Sequence, residues 1–529
     1  MLVVTASEMQ EMDRLTIESF GLSGLVLMEN AGRAAVDVLF KRFPDIQRIK
    51  IGIMAGRGNN GGDGFVMARY LAEKGVSVTV YLLAKTEDVK GDAATNLKLL
   101  HPLGIKLLEI PDESAFDAHK EDLLEHDIWV DAMLGTGLKS DVRGIFRDVI
   151  EFLNNLQRPI LAVDIPSGLN PDSGKPCGIC IKADTTVTFG FPKIGQVIYP
   201  GIEFAGNLKV VDIGIPSDVV HKVEPKQSII TKEMIASYFK PRLPETHKGG
   251  TGHLLVVGGS PGKTGAVSMT AKAAMRIGAG LVTLALPESL NHIMEAQLVE
   301  VMTEPLPETS SHILGVSAFN KIIKLLAGKK GLALGPGMGT NRSTRALVRR
   351  LIQAATVPMI IDADGLNCLV ENIDILKRLK APAVLTPHPG EMARLLGIPI
   401  SSVQENRISV ARDFATEHQV YLVLKGARTI IANPQGMVFV NPTGNPGMAS
   451  GGMGDVLTGM IAGLIVQGFS MDSAVQSAVY LHGAAADHLA QEMGEVGILA
   501  TDIIERIPKV LHTETSISSS DRDPFIRTI

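Results

Sequence analysis

Residues Leu254–Met269 read LLVVGGSPGKTGAVSM. An apolar run, a glycine turn, Gly-Lys-Thr and the opening of a helix follow in the order of a phosphate-gripping P-loop. A Walker loop needs G-x-x-x-x-G-K-[ST], because the amides between its two glycines must wrap the phosphates before the lysine reaches them. The position required for the first glycine is Val257, a strand residue, and Gly258 stands one residue too close to Gly262. The loop is too short, so the Walker match fails and a strand–turn–helix unit of another α/β fold remains. In the helix, Ala266 stands near the start, and Ala271, Ala274 and Met275 share a face. That face suits either close approach of a flat ligand or tight packing.

The alternation continues through LVTLALPE, LALGPG, PMIIDADG, AVLTPHPGE and YLVLKG to TIIANPQGMVFV, which reads as an antiparallel pair. In NPTGNPGMASGGMGDVLTGM, Gly451, Gly452 and Gly454 precede a helix, where free amides and the helix dipole converge on an anion site with Asp455 at its mouth. An aspartate there is either a helix cap or a base beside a bound phosphate. Asp362 and Asp364 in IIDADGLN, and His388 and Glu391 in LTPHPGEM, close strands of the same sheet. His388, between prolines, braces a turn or contacts a ligand. Lys425 to Thr429 in KGART place a cation at a strand end, suited to nucleotide phosphate or to solvent.

The first half has its own βαβ start, IKIGIM, GRGNNGGDGF, the helix FVMARYLAEKG and VSVTVYLL. Gly56, Gly58 and Gly61 satisfy the dinucleotide fingerprint, but the next strand lacks the acidic residue that would hold a ribose, and Asp63 sits inside the loop. Asp131 in VDAMLGTGL and Asp164 in VDIPSGLN each close a strand before a glycine turn, as at the ligand crevice of a doubly wound sheet. Asn60, Asp131 and Ser167 offer oxygen atoms of the kind that a hard cation prefers.

With 529 residues, the chain exceeds one ordinary core. Expected divisions are 1–222, 227–515 and a polar, frayed tail, 516–529. A net charge of −5 with no basic arm argues against nucleic-acid binding. The longest apolar run, from Val456, spans about thirteen residues, short of the roughly twenty that cross a membrane. Three cysteines, with Cys177 and Cys180 in an isolated C-x-x-C, fit a reducing cytoplasmic compartment rather than a zinc site. Thr5 and Glu8 form a capping-box signal at the first helix.

NNGGDG, DAMLGTGL, DIPSG and TFGFPK resemble the NAD(P)H-hydrate epimerase domain, and GGSPGKTGA, GPGMG, DADGLN, TPHPGE, KGART and SGGMGDVLTG resemble the ADP-dependent NAD(P)H-hydrate dehydratase domain. In this order they resemble the fused bifunctional repair enzymes of prokaryotes. The resemblance implies a Rossmann-like doubly wound sheet of the YjeF N-terminal type joined to a ribokinase-like α/β domain. It implies that Asn59, Asn60, Gly61, Gly62 and Asp63, the loop Gly135, Thr136, Gly137, Leu138, Lys139, Ser140 and Asp141, and Asp164 hold the hydrated nucleotide (NADHX or NADPHX), with Asp164 catalytic. Asn60, Asp131 and Ser167 would bind potassium. Ala266, Gly339, His388 and the catalytic Asp455 would contact the hydrate in the second domain, while Lys425, Gly426, Ala427, Arg428, Thr429 and Gly454 hold ADP, with Mg2+. A homo-oligomer without membrane or nucleic-acid partners is expected. One departure is SGGMGD, where many relatives carry AGTGD; it bears on nucleotide preference. The rival reading is a small-molecule kinase joined to a non-catalytic nucleotide-binding module.

Overall fold

In the computed structural model, which describes residues 1–138, 140–516 and 526–528, each half of the chain builds a largely parallel sheet. One compact unit takes in residues 2–225, and the other begins at Lys226.

The first unit carries helices α1 (Ala6–Leu15) and α2 (Asn59–Glu73), and strands β1 (Lys50–Ala55), β2 (Ser77–Leu82), β3 (Lys106–Glu109), β4 (Ile128–Ala132), β5 (Ile160–Val163), β6 (Thr185–Phe189) and β7 (Asn207–Val211). The order is β7-β6-β5-β4-β1-β2-β3, all parallel. β4, β5 and β6 are buried along their whole length, as helices on both faces of a parallel sheet require. Between β1 and β4 the strand order reverses, so the loops after these strands diverge and leave a crevice at their carboxyl ends.

The sequence starts the second of these helices at Phe65; the structure starts α2 at Asn59. NNGGDG is therefore the opening of a helix rather than a loop, and its glycines serve close packing. A Cβ on Gly61 would lie 1.9 Å from the Gly56 carbonyl oxygen, and one on Gly56 would lie 2.0 Å from that of Met133. Glycine's poor helix propensity hid this turn from a sequence reading.

The second unit contributes β8 (Gln227–Ile229), β9 (His253–Val257), α3 (Thr264–Arg276), β10 (Leu281–Pro287), β11 (Met302–Leu306), β12 (Gly331–Leu334), β13 (Met359–Ile361), β14 (Ala383–Leu385), α4 (Pro389–Leu396), β15 (Tyr421–Leu424), β16 (Ile430–Ala432), β17 (Val438–Val440), α5 (Met453–Val466), α6 (Met471–Met493) and α7 (Ala500–Thr515). Their order is β8-β17-β16-β15-β14-β13-β12-β9-β10-β11. β16 runs antiparallel to both neighbours, at the pair expected from TIIANPQGMVFV.

Helix α5 is buried along nearly all its length, and among the described residues no helix is long and apolar enough to cross a membrane. Its partner is α3, whose Thr270, Ala273 and Ala274 stand against it. A Cβ on Gly459 would stand 2.1 Å from the Thr270 carbonyl oxygen, and one on Gly463 would stand 2.4 Å from Ile277 Cγ2. Backbone cannot yield as a side chain can, so Gly459→Ala should destabilise this unit by about 1–3 kcal/mol. Thermal melting followed by circular dichroism checks this; an unchanged midpoint would contradict the packing.

The tail departs from its frayed expectation where it is described. Ile526–Thr528 forms β18, antiparallel to β7, with Ile526 opposite Val211. β7 would otherwise end the sheet with open backbone groups, which recruit any extended segment within reach.

Candidate active sites

At the strand-order reversal of the first unit lies a cavity of about 960 Å³. Asn59, Asn60, Asp63, Gly135, Thr136, Gly137, Leu138 and Asp164 line it. Gly61 and Gly62 do not, because they pack α2: a Cβ on Gly62 would meet the Met28 thioether at 2.6 Å. Ser140 and Asp141 are not among its walls, and Lys139 lies outside the described residues.

Asp131 and Ser167 are wholly buried. Ser167 donates to Asp131 through its backbone N–H (2.7 Å) and its hydroxyl (2.5 Å), and Met133 N–H adds a third bond (3.2 Å). Burial still pushes the Asp131 carboxyl up to about 6. The side-chain amide of Asn60 is buried with neither oxygen nor nitrogen hydrogen-bonded. An orphaned amide oxygen with a buried carboxylate and hydroxyl makes a donor set that a hard cation of low charge would satisfy.

Asp164 sits at φ +62°, a strained backbone for a non-glycine residue, as functional sites often hold. Gln196 Nε2 donates to its carbonyl oxygen at 2.6 Å, and Thr188 Oγ1 donates to its carboxylate at 3.1 Å. Lys193, whose side chain is 1% exposed, forms an ion pair with the Asp164 carboxylate and donates to Thr188 Oγ1 at 3.0 Å. The sequence reading assigned no role to Lys193 or Thr188. The only signal was a lysine set among apolar residues in TFGFPKIG. Asp13, on α1, also faces the cavity. Burial raises Asp13 to about 6 and raises Asp63 well above the usual carboxylate range, with Asp164 adding to both shifts.

In the second unit the carboxyl ends of β13, β14 and β15 and the start of α5 bring Asp362, Glu391, Lys425 and Asp455 together. Lys425 Nζ lies 2.9 Å from Asp362 Oδ1 and 3.8 Å from Glu391 Oε2. Thr458 Oγ1 donates to Asp362 Oδ2 at 2.7 Å. Lys425 is thus a tethered cation rather than a solvated one. Burial works against its charge, but Asp362 and Glu391 leave its pKa above normal.

Gly452, at φ +92°, caps α5, so the Met453, Gly454 and Asp455 amides occupy the first helical turn, which no intrahelical carbonyl reaches. A Cβ on Gly454 would come to 3.1 Å from Lys425 Nζ, so the lysine passes directly over the anion loop. Burial first, then Asp362, raises Asp455 to about 7. His482, missed in the sequence, is buried beside the Met453 backbone and is pushed down to about 4 by burial.

His388 Nδ1 accepts from the amides of Gly390 (3.0 Å) and Glu391 (3.3 Å), so it caps α4 as a neutral ring on an exposed residue, with Nε2 3.6 Å from Glu391 Oε1. The brace and the ligand contact are therefore compatible. Gly339 N–H donates to Asp364 Oδ2 at 2.9 Å, and Lys263 Nζ meets the same oxygen at 3.2 Å. Ala266 is half-buried near the start of α3, 3.4 Å from where a Gly337 Cβ would stand. In the KGART turn, Gly426 and Ala427 are exposed, Arg428 (φ +53°) and Thr429 are half-buried, and Arg407 donates to the Ala427 carbonyl.

If Asp455 acts as the base of this site, its pKa near 7 predicts an activity profile. Asp455 accepts a proton only when ionised, so activity at this site should fall about tenfold per pH unit below 7. Initial rates across pH 5.5 to 8 read this directly, on the order of a 30-fold span; a flat profile would remove Asp455 as the base.

The family model for "NAD(P)H-hydrate dehydratase" matches residues 254–509, and that for "YjeF-related protein N-terminus" matches residues 24–195. The bifunctional NAD(P)H-hydrate repair enzyme Nnr of Moorella thermoacetica is 44% identical over 97% of each chain. This chain belongs to the bifunctional NAD(P)H-hydrate repair enzymes. Its relatives of the same name from Coxiella burnetii (38% identical, 94% of this chain and 97% of theirs) and Escherichia coli (34%, 98% and 95%) span both units as well. A Bacillus subtilis ADP/ATP-dependent NAD(P)H-hydrate dehydratase, co-crystallised with ATP and Mg2+, is 32% identical, covering 54% of this chain and 98% of its own at a TM-score of 0.48. The repair-enzyme family thus accounts for both α/β units, and Asp13 lies outside the stretch matched by the N-terminal family model.

Proposed function

We propose that the chain repairs hydrated nicotinamide nucleotides: its first unit interconverts the R and S epimers of NADHX and NADPHX, and its second dehydrates the S form with consumption of ADP. The observation that carries this reading is Asp455, a carboxylate tuned near neutrality, on the same helical turn as the open amides and beneath Lys425. Hydroxide is a poor leaving group. Asp455 takes the proton of the substrate hydroxyl as its oxygen bonds to the terminal phosphoryl of ADP and AMP departs. The amides of residues 453–455 and the Lys425 ammonium stabilise the charge that develops. Loss of phosphate from that carbon, and of a proton from its neighbour, restores the double bond.

Mg2+ would travel with the nucleotide and neutralise phosphate charge; the acidic groups Asp362, Asp364 and Glu391 fit a phosphate-bound cation, although among the described residues no His/Cys/Asp/Glu cluster forms a metal site of its own. Lys425 to Thr429 and Gly454 would hold the nucleotide. In the first unit, Asp164 handles a proton at the hydroxyl. Asn60, Asp131 and Ser167 would hold potassium, which would supply a fixed positive charge to the site. The chain would act as a cytoplasmic homo-oligomer.

Incubating the S epimer with ADP carrying a labelled β-phosphate distinguishes the rivals. Dehydration yields NADH, AMP and free labelled phosphate in equal amounts; label retained on an organic product would establish the kinase reading instead.

A further inference from the structure

Inverting a carbon that bears a hydroxyl and a ring nitrogen can go by ring opening or by loss of the hydroxyl; by the second route, oxygen leaves from one face and returns on the other. A single carboxylate cannot serve both faces, and the epimerase reading, on which this inference rests, supplies only Asp164. The cavity walls contain another candidate of separate origin. Asp164 follows β5, whereas Asp13 comes from α1 and shares the cavity with Asp164, Lys193 and Asp63.

Helix α1 is firmly placed. A capping box at Thr5 and Glu8 fixes its start, and Met9 and Met12 anchor its buried side. It runs into a π-helical turn, Thr16–Phe20, of the kind that often marks a functional segment. Asp13 thus stands on a rigid wall, one turn beyond Met9, which also lines the cavity. The two aspartates differ in what holds them. Asp164 is ion-paired with buried Lys193, while burial favours the protonated form of Asp13. An ion-paired carboxylate and a buried carboxyl on separate walls of one cavity can divide the roles of base and acid.

We propose that Asp13 is the second proton-transferring residue of the epimerase, acting as acid where Asp164 acts as base. Asp13 gives its proton to the hydroxyl oxygen as the carbon–oxygen bond breaks; water leaves and the ring nitrogen lone pair forms the iminium. Water then bonds to the opposite face and yields a proton to the Asp164 carboxylate. One proton has passed from Asp13 to Asp164, and exchange with solvent resets the pair. The return direction exchanges the roles.

The test uses the full chain and purified R epimer, following R-to-S conversion by chromatography above the spontaneous rate. Asp13→Asn should lower kcat at least about 100-fold with KM little changed, and Asp13→Glu should recover a substantial part. Dehydration of the S epimer and thermal melting of the same sample report folding. An Asp13→Asn variant with wild-type kcat would overturn the proposal, as would a defect confined to KM. A wild-type chain that dehydrates the S epimer but never accelerates conversion of R would refute the epimerase reading itself.

Discussion

Replacing Asp455 by asparagine should lower ADP-dependent dehydration of the S epimer by about 1,000-fold while the protein melts at the same temperature or higher. The rate loss follows from removing the one carboxylate on the anion-binding turn. The stability gain follows from linkage. The Asp455 carboxyl rises from 3.8 to about 7, because burial and Asp362 disfavour its charge. The folded state therefore binds that proton more tightly than the unfolded chain, and this contribution to stability is lost as pH rises from about 4 through 7. Above pH 7 the asparagine variant escapes the cost. Melting at high and low pH beside the rate assay checks both halves; a tenfold or smaller rate loss would contradict the assignment.

Asp164→Ala should abolish acceleration of epimerisation, by about 100-fold or more, and also destabilise the first unit. Its removal strands the Lys193 ammonium, whose side chain is 1% exposed, without its carboxylate partner. Breaking such a pair costs about 3–5 kcal/mol. Asp164→Ala combined with Lys193→Met should recover much of the stability and none of the activity. That split separates chemistry from folding, since a merely structural ion pair would recover both. Full epimerase activity in Asp164→Ala would make the first unit a non-catalytic module.

Both sheets were legible in the sequence, because strands buried on two faces are apolar along most of their length, as in IWV and LLVV. So was the glycine turn at the start of α5, since glycines before an apolar run mark a helix opening with free amides. Gly454 lies inside α5 rather than before it, just as Asn59 to Gly64 lie inside α2. Propensity disfavours glycine in both helices, and close backbone approach overrules it.

What stayed hidden depends on strands far apart in sequence. The charge of Lys425 was readable, but its tether to Asp362 and Glu391 arises only when three strand ends align. The burial of Lys193 against Asp164, and the arrival of α1 with Asp13 at the same cavity, are likewise tertiary facts. Of the small residues of α3, Ala274 packs against Gly463 of α5, a contact that the sequence pattern leaves open.

The most direct measurement of the central claim is near-ultraviolet absorbance of mixed-epimer NADHX with the full chain, in parallel with ADP, with ATP and with no nucleotide. Complete recovery of NADH absorbance with ADP, faster than spontaneous epimerisation permits, is the predicted result. No recovery with any nucleotide would contradict it.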